Sequence, residues 1–504
     1  MDEAISRLLK AGYVAHQDGD LDIAAEKYRH VLKVEPHNAD ALHLLGLIAL
    51  QKEDATTAII NIKNSLSTDS QNPQALDHLA TAYLKLGQTT KAISTLERAL
   101  SFAPDFTDCW FNLGNAKEAD GDFTGAVIAF EEAIKLQPDF VAGLANLANA
   151  LVESHEYEKA LDVVQHALSL EPDLAPIWLS RGNALRGLGH TADAINAYLQ
   201  TLNHGPASCA VHCLIADCYH DLEQNDKAFE HFNIAYSLDP TNAHVIVGQA
   251  YCQVLFNDLA AAETALDEAL TKVPGDCRAL AYKAVTLYLH NRHDEARILI
   301  DIERDIEILT LEVPQGQSAI TAFNTELAEA LKSDHTLTLD PMNKTTRNGF
   351  QSGDLSRLKQ HIVKDFHNCL KKTIEIYYAN QKLRPDHPQA RSIPAQYHLE
   401  SWSTILHRGG HQQNHIHPTA WMSGVYYVTV PESINAEDPD RQGWIEFGGS
   451  GYGLPQHDGP LRYVCPKEGE LVLFPPYVFH RTIPFQSNSQ RTSIAFDILP
   501  KTLG

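Results

Sequence analysis

The chain has 504 residues, more than a single hydrophobic core usually serves, so two or more domains are expected. Its apolar fraction of 44% and charged fraction of 21% are those of an ordinary globular protein, and it holds no run of eighteen apolar residues to span a membrane. The net charge of −24 is uneven: 18 Lys+Arg face 20 Asp+Glu from Glu307 onward, leaving 22 against 44 before it. Such an acidic first part disfavours nucleic acid and is compatible with a basic protein partner.

The opening residues, Met1-Asp2-Glu3-Ala4-Ile5-Ser6-Arg7, carry acids early and lack the basic start and apolar stretch of a secretory signal. The eight cysteines (109, 209, 213, 218, 252, 277, 369, 465) form no CxxC pair. Neither a disulfide framework nor a zinc site is expected, and the cytoplasm is the expected compartment.

A 34-residue period organises the first three hundred residues. Ala24, Ala58, Ala92, Ala126, Ala160, Ala194, Ala228, Ala262 and Ala296 are spaced by 34 without insertion. A glycine or alanine lies twelve residues before each, from Gly12 and Gly46 to Ala284. A proline lies twelve after most of them, at Pro36, Pro104, Pro138, Pro172, Pro206, Pro240 and Pro274. Small residues let two helices approach closely, an aromatic four residues on fills the gap, and proline ends the second helix. The pattern resembles the tetratricopeptide family over about residues 4–306, in nine units with the last cut short. Units of this kind stack into a superhelix with a concave groove, so a peptide or protein partner is expected there.

Asn112 with Asn115, and Asn146 with Asn149, lie three apart on one helix face, and Asn183 and Asp217 continue the column. Side-chain amides offer both donor and acceptor, as a peptide backbone requires. Two readings stay open here: an amide ladder gripping a partner's backbone, or hydrogen bonds between neighbouring helices.

Past Asp305 the pattern changes. Leu309–Val313 reads as a short strand, and Ser318–Lys332 and Leu355–Asn380 read as helices. From Tyr397 the period becomes two, in runs at 397–406, 424–430, 444–447, 470–474 and 492–498 punctuated by Gly and Pro. The expected fold is a tetratricopeptide superhelix (residues 1–306) followed by a jelly-roll, or double-stranded β-helix, domain with supporting helices (residues 307–504).

Chemistry concentrates in His415-Ile416-His417-Pro418 and in Phe474-Pro475-Pro476-Tyr477-Val478-Phe479-His480, followed by Arg491-Thr492-Ser493. An HxH puts both imidazoles on one side of an extended chain, where both can grip one metal. A third histidine completes a facial set with open positions, and an arginine nearby suits a carboxylate.

These segments, with Ser423-Gly424-Val425-Tyr426-Tyr427-Val428 and Gly469-Glu470-Leu471-Val472-Leu473-Phe474-Pro475, resemble the 2-oxoglutarate/Fe(II) oxygenase superfamily, in its bacterial and phage-type branch, over about residues 395–498. The resemblance implies Fe(II), 2-oxoglutarate and O2 as the reactive set. It makes His415 and His480 metal ligands, Arg491 the anchor of the far carboxylate of 2-oxoglutarate, Tyr427 a second contact to that carboxylate, and Ser493 the partner of Arg491. The family usually has HxD or HxE, and His417 stands here in the carboxylate's place; three imidazoles still bind iron(II), with one more positive charge on the site. His407 and His411 are reserve candidates, and Arg462 and Arg481 reserve anchors. The implied activity is hydroxylation of a peptide or protein recruited by the repeats. A scaffold with a degenerate jelly roll and a three-histidine cupin-type oxygenase are the rivals; an intact His415/His480/Arg491 set stands against the first, and Arg491 against the second.

Overall fold

A computed structural model describes residues 2–314, 319–341, 344–380, 394 and 396–500. The chain divides into two compact units, residues 1–206 and 207–504.

The first unit is built of twelve helices, from Asp2–Gln17 to Thr191–His204, paired as hairpins. The reason lies in the 34-residue register. All nine alanines of the repeat are fully buried. Any Cβ added at Gly12, Gly46, Gly114 or Gly182 would fall within 2.5 Å of Tyr28, Ile62, Phe130 or Tyr198, so the close helix contact admits no side chain there. Second helices end two residues before their prolines, as Ala55–Thr68's neighbours Leu21–Val34 and Thr89–Phe102 do before Pro36 and Pro104. The turn inside every hairpin has a left-handed residue, at Gly19, Glu53, Gly87, Gly121, His155, Gly189, Glu223, Asn257 and Asn291, again 34 apart. Non-glycine residues accept this conformation at a cost of roughly 1–2 kcal/mol each.

In the second unit six more helices, Cys209–Asp221 to His293–Leu299, are followed, among the described residues, by ten strands. These are β1 (Glu307–Thr310), β2 (Thr338–Leu339), β3 (Thr346–Gln351), β4 (Tyr397–Gln412), β5 (Met422–Thr429), β6 (Ile445–Phe447), β7 (Arg462–Val464), β8 (Glu470–Phe474), β9 (His480–Thr482) and β10 (Arg491–Pro500). A seven-stranded antiparallel sheet runs β1-β8-β5-β10-β4-β3-β2, and a three-stranded one runs β7-β6-β9, an arrangement consistent with a jelly roll. Strand alternation gives the large sheet two apolar faces. Tyr426, Val428, Leu471, Leu473, Ile494 and Phe496 point to the helices Ile320–Lys332 and His361–Asn380. Val425, Tyr427, Val472 and Phe474 point inward, toward Ile445, Phe447 and Val464 of the small sheet.

Secondary structure changes at Glu307, where β1 begins, but the compact unit begins a hundred residues earlier. The inward core is continuous with Tyr251, Tyr282 and Val285 of the last repeats. Arg462 reinforces the junction, donating from one Nη1 to the carbonyls of Ile302, Glu303 and Ile306 at 2.8–3.0 Å. The expected helix over 355–380 is interrupted: Asp354 caps a 3-10 turn at Leu355–Arg357, and the α-helix starts at His361. Ser318 and residues 501–504 lie outside the described residues. Among the described residues, no helix is long and apolar enough to cross a membrane.

Candidate metal centre

The two histidine segments meet through their backbones. His415 N donates to His480 O and His480 N to His415 O, each at 3.0 Å, so the segment before Pro418 pairs with the start of β9. His417 N donates to Pro476 O at 2.9 Å. This brings the three buried imidazoles together, with ring centroids 4.3–5.1 Å apart and one ligand atom of each within 4.8 Å of the others.

Each ring is turned by an acceptor at Nδ1: Gln413 O for His415 at 2.7 Å, Asp497 Oδ1 for His417 at 2.7 Å, and Val478 O for His480 at 3.0 Å. A backbone carbonyl or a carboxylate oxygen accepts here, so Nδ1 donates in each ring and Nε2 is the nitrogen left to face a metal. Burial, with the neighbouring His417, pushes His415 down to about 3; burial, with His415 and His417, holds His480 well below the ordinary histidine range. Both are therefore neutral, as metal ligation requires. Three lone pairs of this type, converging from oriented rings, fit a divalent transition metal such as iron(II).

Asp497 is a candidate functional residue that the sequence pattern did not single out. It lies on β10 in the otherwise apolar run Ile494-Ala495-Phe496-Asp497-Ile498, and a buried acid there was the available signal. Ser423 Oγ also donates to its Oδ1 at 2.6 Å. Trp402 of β4 is stacked on His417 with ring centroids 5.8 Å apart.

Arg491 opens β10 and is 1% exposed. Its Nε and Nη1 have no hydrogen-bond partner, and neither has the buried hydroxyl of Tyr427, over whose ring the guanidinium lies at 5.0 Å. Burial lowers the Arg491 pKa and raises that of Tyr427, which the guanidinium opposes. Ser493 sits opposite Tyr427 in the register of β10 with β5 and opposite Thr404 in that with β4. A buried cation with two donor nitrogens outside any hydrogen bond, set beside a buried phenol, fits the carboxylate of a dicarboxylic acid.

The reserve candidates are placed elsewhere. His411 Nδ1 bonds Gly409 O at 3.1 Å, and His407 lies edge-on to Phe350; neither joins the three-histidine group. Arg481 is held by both carboxylate oxygens of Glu446 at 2.8 Å, and Arg462 by the carbonyls at the repeat junction. In the repeats, the amides bond to neighbouring helices. Asn112 donates to Asp77 at 2.8 Å, Asn146 to Asn115 at 2.8 Å and Asn149 to Glu118 at 2.6 Å, and Asn183 accepts from Tyr198.

Residues 400–497 match the family described as "Putative 2OG-Fe(II) oxygenase". Residues 9–72, 78–139, 179–243 and 256–305 match one tetratricopeptide repeat family, and residues 118–182 another. The general transcriptional corepressor trfA of Dictyostelium discoideum is 30% identical over 98 residues, 19% of this chain and 7% of that protein, so the chain spans only a small part of this relative's length. Among solved structures, a tetratricopeptide repeat protein from Parabacteroides merdae is 18% identical, with 49% of this chain and 98% of that one covered at a TM-score of 0.38. The MamA protein is 25% identical, with 34% and 94% covered at a TM-score of 0.32.

Proposed function

We propose that this chain, a tetratricopeptide-repeat protein carrying a domain of the 2OG-Fe(II) oxygenase family at residues 400–497, is an Fe(II)- and 2-oxoglutarate-dependent oxygenase that hydroxylates a peptide or protein side chain. One observation carries the reading: three converging, Nδ1-anchored imidazoles, gathered where β9 of the small sheet meets the segment before Pro418, in a domain that also buries Arg491 with free donor nitrogens. Bound iron(II) with 2-oxoglutarate and O2 supplies oxidising power for C–H hydroxylation, releasing succinate and CO2.

The chain's own residues do the rest. His415, His417 and His480 would hold the metal, each ring kept in place by the acceptor at its Nδ1. Arg491, with Tyr427 and Ser493, would take the far carboxylate and so orient the co-substrate. The apolar walls formed by Val425, Val472 and Phe474 exclude water, which strengthens the ion pair to Arg491. Tetratricopeptide repeats generally mediate protein–protein interaction, which supports a peptide or protein substrate, and the −22 balance before Glu307 favours a basic one. A three-histidine oxygenase without 2-oxoglutarate would leave a buried, unpaired guanidinium without purpose, at a desolvation cost the fold would have no reason to bear.

The test is anaerobic reconstitution of the full chain with Fe(II), then assay of succinate from 2-oxoglutarate in air, with His480→Ala as control. Iron-dependent succinate formation that the variant lacks is expected; turnover retained in His480→Ala, or none in the wild type, overturns the reading. Mass spectrometry of proteins held by the iron-free variant, followed by detection of one added oxygen with the wild type, identifies the substrate.

A further inference from the structure

The histidine segment is braced from the repeats. The loop Gly448–Gly453 follows β6, and Tyr452 in it has a left-handed backbone, φ +55°, that a tyrosine adopts only at a cost of roughly 1–3 kcal/mol. What that conformation achieves is visible in its contacts. The Tyr452 hydroxyl accepts from Ile416 N at 3.2 Å and donates to Ile416 O at 3.4 Å. Ile416 is the residue between His415 and His417. The Tyr452 ring stands edge-on to Phe479, the residue before His480, with centroids 5.4 Å apart. A single side chain thus touches the backbone that carries two of the imidazoles and the neighbour of the third.

Tyr452 is held in turn from the helix Ala243–Leu255, where the Tyr251 hydroxyl donates to Tyr452 O at 2.5 Å. Tyr251 occupies the ladder column, 34 residues after Asp217 and 68 after Asn183. Earlier members of the column are polar groups bonded within the repeats; in the eighth unit the same position holds a phenol directed at the jelly roll. A second strut runs beside it. The Cys277 thiol donates to Ala420 O at 3.4 Å, and Ala420 N reaches back to His417 O.

We infer that Tyr452 and Tyr251 are positioning residues for the metal centre, so that the eighth repeat is a working part of the catalytic domain and not only a recruiting surface. The inference rests on the oxygenase reading above. Groups behind a ligand shell typically tune metal affinity by about 10–100-fold.

The test is titration of the full chain with Co(II) under argon, read from its visible absorption, for wild type, Tyr452→Phe, Tyr251→Phe, the double variant and Arg462→Gln. Tyr452→Phe removes only the two hydroxyl bonds to Ile416, and Tyr251→Phe only the bond to Tyr452 O. Each is expected to weaken Co(II) binding about tenfold and alter the band shape. Because the two links lie in series, the double variant should bind no worse than the weaker single. Arg462→Gln removes repeat contacts at the same junction but away from the histidines, and should bind Co(II) as wild type does, whatever its melting temperature. Wild-type affinity in both tyrosine variants, or an equal loss in Arg462→Gln, overturns the inference while leaving the oxygenase reading intact. A wild type that binds no Co(II) overturns both.

Discussion

His417 Nδ1 donates to Asp497 Oδ1 over 2.7 Å, and both side chains are buried. On the proposed function, His417 would stand where the family usually has a ligand acid, and Asp497 would act one group further back. A carboxylate behind an imidazole raises the ring's basicity and fixes its orientation, which offsets part of the charge lost when a ligand acid becomes histidine.

Asp497→Ala is therefore expected to weaken iron(II) binding by about 10–100-fold. Asp497→Asn should lose less, since its amide oxygen still accepts from Nδ1 and only the charge is gone. Anaerobic iron titration checks this, and unchanged affinity in Asp497→Ala would show that the pair is merely structural.

The same geometry bears on His417→Asp. On its own this change would restore a common ligand set, but it would also set a new carboxylate toward Asp497 with no proton donor between them. Two like charges about 4 Å apart repel by roughly 4 kcal/mol at an effective dielectric near 20. His417→Asp should thus bind iron poorly, and His417→Asp with Asp497→Asn should recover much of the loss. His417→Ala should stay weak in either background. Equal affinity for wild type and all four variants would place His417 outside the shell.

Arg491→Ala should raise the 2-oxoglutarate concentration needed for succinate formation by an amount worth about 2–5 kcal/mol, while iron still binds. Tyr427→Phe removes a single neutral hydroxyl and should cost about 1 kcal/mol. The other two arginines considered as anchors are engaged by Glu446 and by repeat carbonyls, so neither should substitute. Unaltered co-substrate dependence in Arg491→Ala is the outcome that refutes the anchor.

In the first unit, burial pushes Asp77 up to about 6, against the hydrogen bond from Asn112. Between the ordinary value of 3.8 and about 6, the folded chain keeps a proton that the unfolded chain has lost. Stability should therefore fall as pH rises through this window and level off above it. Asp77→Asn keeps the oxygen that accepts from Asn112 and removes the titration. It should be more stable than wild type by about 1–3 kcal/mol near neutral pH, with the difference fading below about pH 4. Urea melts across this range test the sign; a variant equally or less stable at neutral pH contradicts it.

Periodicity alone determined the repeats, because a helical hairpin is local: the fully buried alanines, the glycine contacts and the left-handed turns all recur at the sequence's own 34-residue spacing. The HxH, the distal histidine and the arginine were legible too, since residue type and alternation along a strand are written in the chain. The tertiary structure decided what depends on residues far apart meeting. It gave the column amides to neighbouring helices, because half-buried polar groups take the nearest partner the stack provides. It set Asp497 behind His417 across 80 positions, and joined Tyr251 to Tyr452 across 201. Neither pairing leaves a local pattern; each exists only once two sheets and the last repeats share one core.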